Sequence, residues 1–127
     1  MDRFKTIRKI FELEIEVLDS NLKETEVENL IDDALSSIKF SEDVDFSIDT
    51  KGDFAYQYEN NELVMAYVYV TLEYETEIEY EEPYWDEYGC DDGNYEELTV
   101  IKEDDVKSAL NENLDTLKLK VDRVNEY

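Results

Sequence analysis

A chain of 127 residues carries 36 Asp and Glu against 12 Lys and Arg, a formal charge of −24. With no histidine and a single cysteine it cannot build a Ser-His or Cys-His nucleophile pair, a disulfide within itself or a Cys/His zinc site. Hydrophobic residues at 42% and aromatic ones at 13%, with three Gly and one Pro, supply a core for one acidic domain over 1–127 and exclude a wholly disordered acidic tail.

The N-terminus is locally basic, with Arg3, Lys5, Arg8 and Lys9. Charged residues interrupt every apolar stretch, and no run approaches the ~20 residues that span a bilayer. Neither a signal peptide nor a membrane helix is expected, and the lone thiol fits a reducing cytoplasm. Phe11, Leu13, Ile15 and Val17 alternate with Glu12, Glu14 and Glu16, the two-residue period of a strand buried on one side, its outer face a row of carboxylates. Thr25 and Glu28 have capping-box spacing, and Val27, Leu30, Ile31, Ala34, Leu35 and Ile38 recur at helical intervals. A helix over about 25–39 is predicted, with Glu24, Glu28 and Asp32 as an exposed acidic stripe.

Val44, Phe46 and Ile48 read as a strand, Thr50 to Asp53 as a turn, and Phe54, Tyr56 and Tyr58 as a second strand leading into a hairpin turn at Asn60-Asn61. From Glu62 to Tyr80 one parity holds, with Val64, Ala66, Val68, Val70, Leu72, Tyr74, Ile78 and Tyr80 on a shared face. This is one long bent strand or two strands meeting near Glu73. On the opposite face Met65, Tyr67 and Tyr69 suit burial under a helix, whereas Glu73, Glu75, Glu77, Glu79 and Glu81 do not. Residues 82–95, holding the only Pro and Trp, read as a surface loop. Leu98 to Ile101 return as a short strand, Glu103 to Leu114 as a helix, and Leu117, Leu119 and Val121 as a last strand. The expected fold is α+β, an antiparallel sheet of about four to six strands with two helices in the order β-α-β-β-β(-β)-α-β.

The acidity is concentrated. Residues 52–101 hold fifteen acids and no Lys or Arg. Carboxylates at i, i+2 on a strand stand about 6.8 Å apart, and two or three such rows at strand spacing approach the charge density of a nucleic-acid duplex. A solvated outer face is the plainer reading, but interleaved Lys would have spared the repulsion between neighbouring acids. A surface of this sign repels nucleic acid and anionic membranes, so its partner is expected to be a basic nucleic-acid-binding protein. In the loop, Tyr84, Trp85 and Tyr88 beside Asp86, Glu87, Asp91 and Asp92 join rigid aromatics to acceptors for Arg and Lys, as interface hot spots do. The candidate partner-binding residues are therefore Glu73, Glu75, Glu77, Glu79, Glu81, Glu82, Tyr84, Trp85, Asp86, Glu87, Tyr88, Asp91 and Asp92. The alternative for the loop aromatics is that they fold back to cap the sheet edge.

No metal or cofactor is expected. An EF-hand loop starting at Asp86 would place Tyr88, Cys90 and Asp91 where it needs Asp, Asp or Asn, and Gly. Asp45, Asp49 and Lys51 could be cast as a Mg²⁺ nuclease centre, yet a surface this negative repels a polyanionic substrate over the Debye length of about 8 Å. The expectation is that the protein is not an enzyme. Self-repulsion opposes association of the acidic faces, while the mixed-charge ends and the Met65, Tyr67, Tyr69 patch allow a monomer or a dimer.

In size, in lack of catalytic residues, and in the segments Leu72-Glu-Tyr-Glu-Thr-Glu-Ile-Glu-Tyr-Glu-Glu82 and Tyr84-Trp-Asp-Glu-Tyr-Gly-Cys-Asp-Asp92, the chain resembles the small acidic anti-restriction and anti-CRISPR inhibitors that phages and other mobile elements make in imitation of DNA. The resemblance implies stoichiometric inhibition in the bacterial cytoplasm: the protein occupies the basic channel of a Cas effector or restriction enzyme and excludes DNA. An acidic assembly or adaptor protein, docking a basic partner without competing with nucleic acid, is the alternative.

Overall fold

The computed structural model describes residues 4–40, 44–80, 95–97 and 99–127. In chain order the elements are β1 (Phe4–Val17), α1 (Glu24–Ser37), β2 (Phe46–Glu59), β3 (Glu62–Tyr80), β4 (Tyr95–Glu97), α2 (Glu103–Asn113) and β5 (Leu119–Glu126). The fold is α+β. Four antiparallel strands lie in the order β2-β3-β1-β5, and β4 pairs with the far end of β3.

Strand parity decides which side of this sheet is covered. Phe11, Leu13, Ile15 and Val17 of β1, Ala66, Val68, Val70, Leu72 and Tyr74 of β3, and Leu119, Val121 and Val124 of β5 are buried in one cluster with Val27, Ile31, Ala34 and Leu35 of α1 and Val106, Ala109 and Leu110 of α2. Both helices therefore sit on the same face, and among the described residues no element covers the other. Between Glu97 and α2 the chain passes under β3 on the covered side. There Thr99 N–H donates to Thr76 Oγ1 at 2.9 Å and Ile101 N–H to the Tyr74 hydroxyl at 3.2 Å, so the two polar side chains of the buried end of β3 are both engaged. Lys9 Nζ donates to Ile101 O at 2.8 Å with its ammonium 5.9 Å from the Tyr74 ring centre. Its long stem lets a charged residue occupy the covered face near the margin.

Several local readings are corrected. Thr50 to Asp53 is no hairpin turn: β2 is continuous, and its register against β3 slips between Lys51 and Ala55, with Gly52 at φ +79°. A positive φ costs glycine nothing, so the strand bends there instead of reversing. A second slip between Gln57 and Tyr58 sends Leu63 into the core in place of Val64. The chain does reverse at Asn60 and Asn61, with φ of 51° and 66°, the two left-handed residues of a type I′ turn, whose twist suits a hairpin. Leu98 is outside the described residues, and Thr99 to Ile101 carry no strand; β4 lies just before them. Leu117 precedes β5 and is exposed, its turn tied by Leu117 N–H to Asp115 Oδ1 at 3.0 Å. Helix α1 starts at Glu24 behind Lys23 without a side-chain cap, since a lysine offers no acceptor, and Glu28, the second half of the expected capping box, is engaged by Tyr56 instead. In α2, Asp105 Oδ2 accepts the Lys102 N–H at 2.8 Å, and Glu103, Asp104 and Asp105 crowd the first turn, where the helix dipole favours negative charge.

Two substitutions probe this arrangement by urea denaturation. Phe11→Ala, at a fully buried position, should cost about 3–5 kcal/mol. Gly52→Ala should cost about 1–2 kcal/mol through backbone strain alone, since a Cβ placed there meets nothing within 4 Å.

Candidate partner-binding face

Along the second half of β3, Tyr74 and Thr76 point into the core and Glu73, Glu75 and Glu77 point out. Cross-strand register places each carboxylate: Glu73 lies between Ser47 of β2 and Arg8 of β1, Glu75 opposite Thr6, and Glu77 opposite Phe4. Asp45, just before β2, gives its carbonyl to Glu75 N–H at 3.1 Å, and Thr6, Asp45, Ser47, Glu73 and Glu75 line one shallow groove. Arg8 Nε is 3.8 Å from Glu73 Oε1, with both side chains about half exposed or more; an exposed pair of this kind contributes under about 1 kcal/mol. Among the described residues no ion pair reaches Glu75 or Glu77. Three carboxylates thus project at ~6.8 Å intervals from one rigid strand.

The structure brings Glu73, Glu75 and Glu77 together as the parity required. Glu79 is in β3, opposite Glu96, but its side chain is outside the description. Glu81, Glu82, Tyr84, Trp85, Asp86, Glu87, Tyr88, Asp91 and Asp92 lie outside the described residues.

The first half of the open face differs in character. Met65, Tyr67 and Tyr69 were expected under a helix, yet both helices pack on the other side, and these three are half-exposed beside Glu16, Glu14 and Glu12, their register partners on β1. Here β5 contributes Lys120 and Arg123 opposite Glu16 and Glu14. Arg123 Nε is 3.8 Å from Glu14 Oε2, which also accepts from Asn125 Nδ2 at 2.9 Å. Tyr67 donates its hydroxyl to Gln57 Oε1 at 2.8 Å, and Tyr69 meets Tyr127 edge to face at 5.4 Å between ring centres. The role of Arg123, Asn125 and Tyr127 went unseen in the sequence; the alternation of β5 was its one signal. The open face is therefore divided into an aromatic half of mixed charge and an acidic half at the end of β3.

The stripe on α1 is not a free acidic surface. Tyr56 donates its hydroxyl to Glu28 Oε2 and Tyr58 to Glu24 Oε2, so two carboxylates clasp β2, and only Asp32 of the three is fully outward. Burial, and then the hydrogen bond to the charged Glu28, push the Tyr56 hydroxyl well above its ordinary value. The bond to Glu24 raises Tyr58, and the bond to Glu12 raises Tyr69.

Among the described residues no group of three His, Cys, Asp or Glu is placed to hold a metal ion, and no helix is long and apolar enough to cross a membrane. No protein-family model, curated protein or solved structure matches the chain.

The raised tyrosines set a pH dependence. A folded-state pKa above the unfolded value of about 10 means that the protonated hydroxyl is favoured by folding. That stability is fully present below pH ~10 and is lost as pH rises beyond it. The urea midpoint should be flat between about pH 7 and 9 and fall above 10. Tyr56→Phe should cost about 0.5–1.5 kcal/mol at pH 7 and flatten the alkaline decline.

Proposed function

We propose that this protein is a stoichiometric inhibitor that takes the place of nucleic acid on the basic surface of a DNA-binding protein, the class of target being a defence nuclease such as a Cas effector or a restriction enzyme. The observation that supports it most is the row Glu73, Glu75, Glu77, held in register on the uncovered face of the sheet beside Asp45 and Asp49. These carboxylates are fixed at their Cα positions by pairing on both sides up to Glu75, so little backbone order is lost on binding. Their field attracts a Lys/Arg groove at long range and repels free DNA. No chemistry is required of the protein: occupancy of the groove is the inhibition.

A second reading draws on the other half of the face. Glu12, Glu14 and Glu16 are answered by Lys120 and Arg123 and flanked by Met65, Tyr67 and Tyr69. Such an aromatic surface of nearly balanced charge suits docking a basic partner as an adaptor, without competing for its nucleic-acid site.

DNA displacement from purified Cas effectors and restriction enzymes separates the two. Mimicry predicts competition with DNA that weakens steeply between about 50 and 200 mM salt. Reversal of Glu73, Glu75 and Glu77 to Lys should reduce inhibition at least about tenfold while leaving the urea midpoint near the parent value. Binding that leaves DNA in place, or inhibition that survives the reversal, would count against this face.

A further inference from the structure

One side of β1 is only half used. Strand β5 pairs with Phe11 to Val17, and the last bond on that side runs from Tyr127 N–H to Ile10 O at 2.7 Å. An antiparallel strand turns the N–H and C=O of alternate residues to the same side. The bond at Ile10 therefore fixes Phe4, Thr6 and Arg8 as the residues whose backbone groups face away from β3, and none of them has a partner strand among the described residues. Three outward-facing residues in a row are a template for another strand.

We propose that this edge pairs with its own copy: two chains join antiparallel through Phe4 to Arg8 of β1, about a two-fold axis at Thr6. The register follows from the outward residues. Ile10 O is already taken by Tyr127, so among the described residues the longest pairing that leaves it undisturbed matches Thr6 with Thr6 and Phe4 with Arg8 in both directions. Each is a favourable neighbour. Two Thr side chains face each other on the open side of the sheet, and the Arg8 guanidinium meets the ring of Phe4, an aromatic that is 58% exposed in the single chain.

Charge selects the same edge. A second copy brings another −24, and association costs least where bases gather. Residues 4–10 contain Lys5, Arg8 and Lys9 and no acid. The edge of β2 is the contrasting case: it is bent at Gly52 and carries Asp49, Asp53 and Glu59 against Lys51 alone, so two copies meeting there would oppose a net excess of acids.

Joined in this way, the two sheets become continuous and their open faces lie on one side. Three strand spacings separate β3 from its counterpart, about 14 Å, and the two Glu73, Glu75, Glu77 rows run antiparallel, flanking Arg8 of both copies. A paired array of carboxylates is closer to a duplex than a single row is. This consequence rests on the reading of the acidic face given above, whereas the pairing itself does not.

Sedimentation equilibrium on the full chain tests the pairing. The expected result is reversible association to twice 15.1 kDa, strengthened as NaCl is raised toward 1 M, where the Debye length is about 3 Å. Thr6→Pro removes an N–H that points away from β3, so the β1–β3 ladder survives, and association should weaken at least about tenfold. Thr6→Cys in a Cys90→Ser background should cross-link two chains under mild oxidation, because the Cα atoms of such a pair stand about 5.5 Å apart; Thr116→Cys in the same background should not. A parent chain that stays monomeric at every concentration and salt, a Thr6→Pro chain that associates like the parent, or Thr6→Cys chains that link no faster than the control would each overturn the proposal. DNA displacement keeps the two ideas apart. A Thr6→Pro monomer that still displaces DNA leaves mimicry standing without the paired array, and a dimer that never displaces DNA removes mimicry and leaves the pairing.

Discussion

Every compact state of this chain brings 36 carboxylates closer together than the unfolded chain does, against only 12 cations, and the apolar layer between sheet and helices must outweigh that repulsion. The layer is continuous. Phe11, Leu13 and Ile15 of the central β1 are fully buried, as are Val70 and Leu72 of β3 and Val27, Ile31 and Val106 of the helices. At about 1.5–3 kcal/mol for each large apolar side chain removed from water, these residues form the main term set against the repulsion. The constraint acts on geometry as well as on energy. With both helices drawn to one face to close the core, the other face has no helix over it among the described residues, and the carboxylates of β1 and β3 are gathered there.

Some of the scarce cations meet the carboxylates of neighbouring strands. Arg123 answers Glu14 in the middle of the β1 row, and Arg8 answers Glu73 where β1 and β3 run side by side. Lys9 joins Glu126 at 3.3 Å and the carbonyl of Ile101 at 2.8 Å, tying the ends of β1 and β5 to the segment that enters α2. Local compensation softens the repulsion between like charges in cross-strand reach, and it thins out toward the end of β3, so net negative charge accumulates at one end of the face.

Elements governed by local rules were legible in the sequence. Helix α1 was expected over about 25–39 and runs Glu24–Ser37; α2 was expected from Glu103 to Leu114 and runs Glu103–Asn113; the Asn60-Asn61 turn is where the strands reverse. Parity alone placed Glu73, Glu75 and Glu77 together. Features set by contacts distant in sequence were not legible. Phe4 to Ile10 do not alternate cleanly, because Lys5 and Lys9 occupy positions on the covered side, and only pairing with β3 from Thr71 to Glu77 makes them a strand. Thr50 to Asp53 carry every local signal of a turn, yet pairing on either side, Lys51 with Tyr69 and Ala55 with Tyr67, carries β2 past them as a bend at Gly52. The fate of Met65, Tyr67 and Tyr69 depended on which face both helices would choose, a global outcome that no window of sequence contains.

Nine of the ten tyrosines fall in residues 52–101, the segment that has no Lys or Arg, and two of them, Tyr56 and Tyr58, hold carboxylates of α1. A carboxylate on a folded surface needs donors to hold it in place, and a lysine would supply them at the cost of cancelling its charge. A tyrosine hydroxyl donates one hydrogen bond and stays neutral up to high pH. Tyr56 with Glu28 and Tyr58 with Glu24 are such pairs, and Glu12 draws on Tyr69 in the same way. Each orients an acid without neutralising it, so the surface is ordered while its field is left intact.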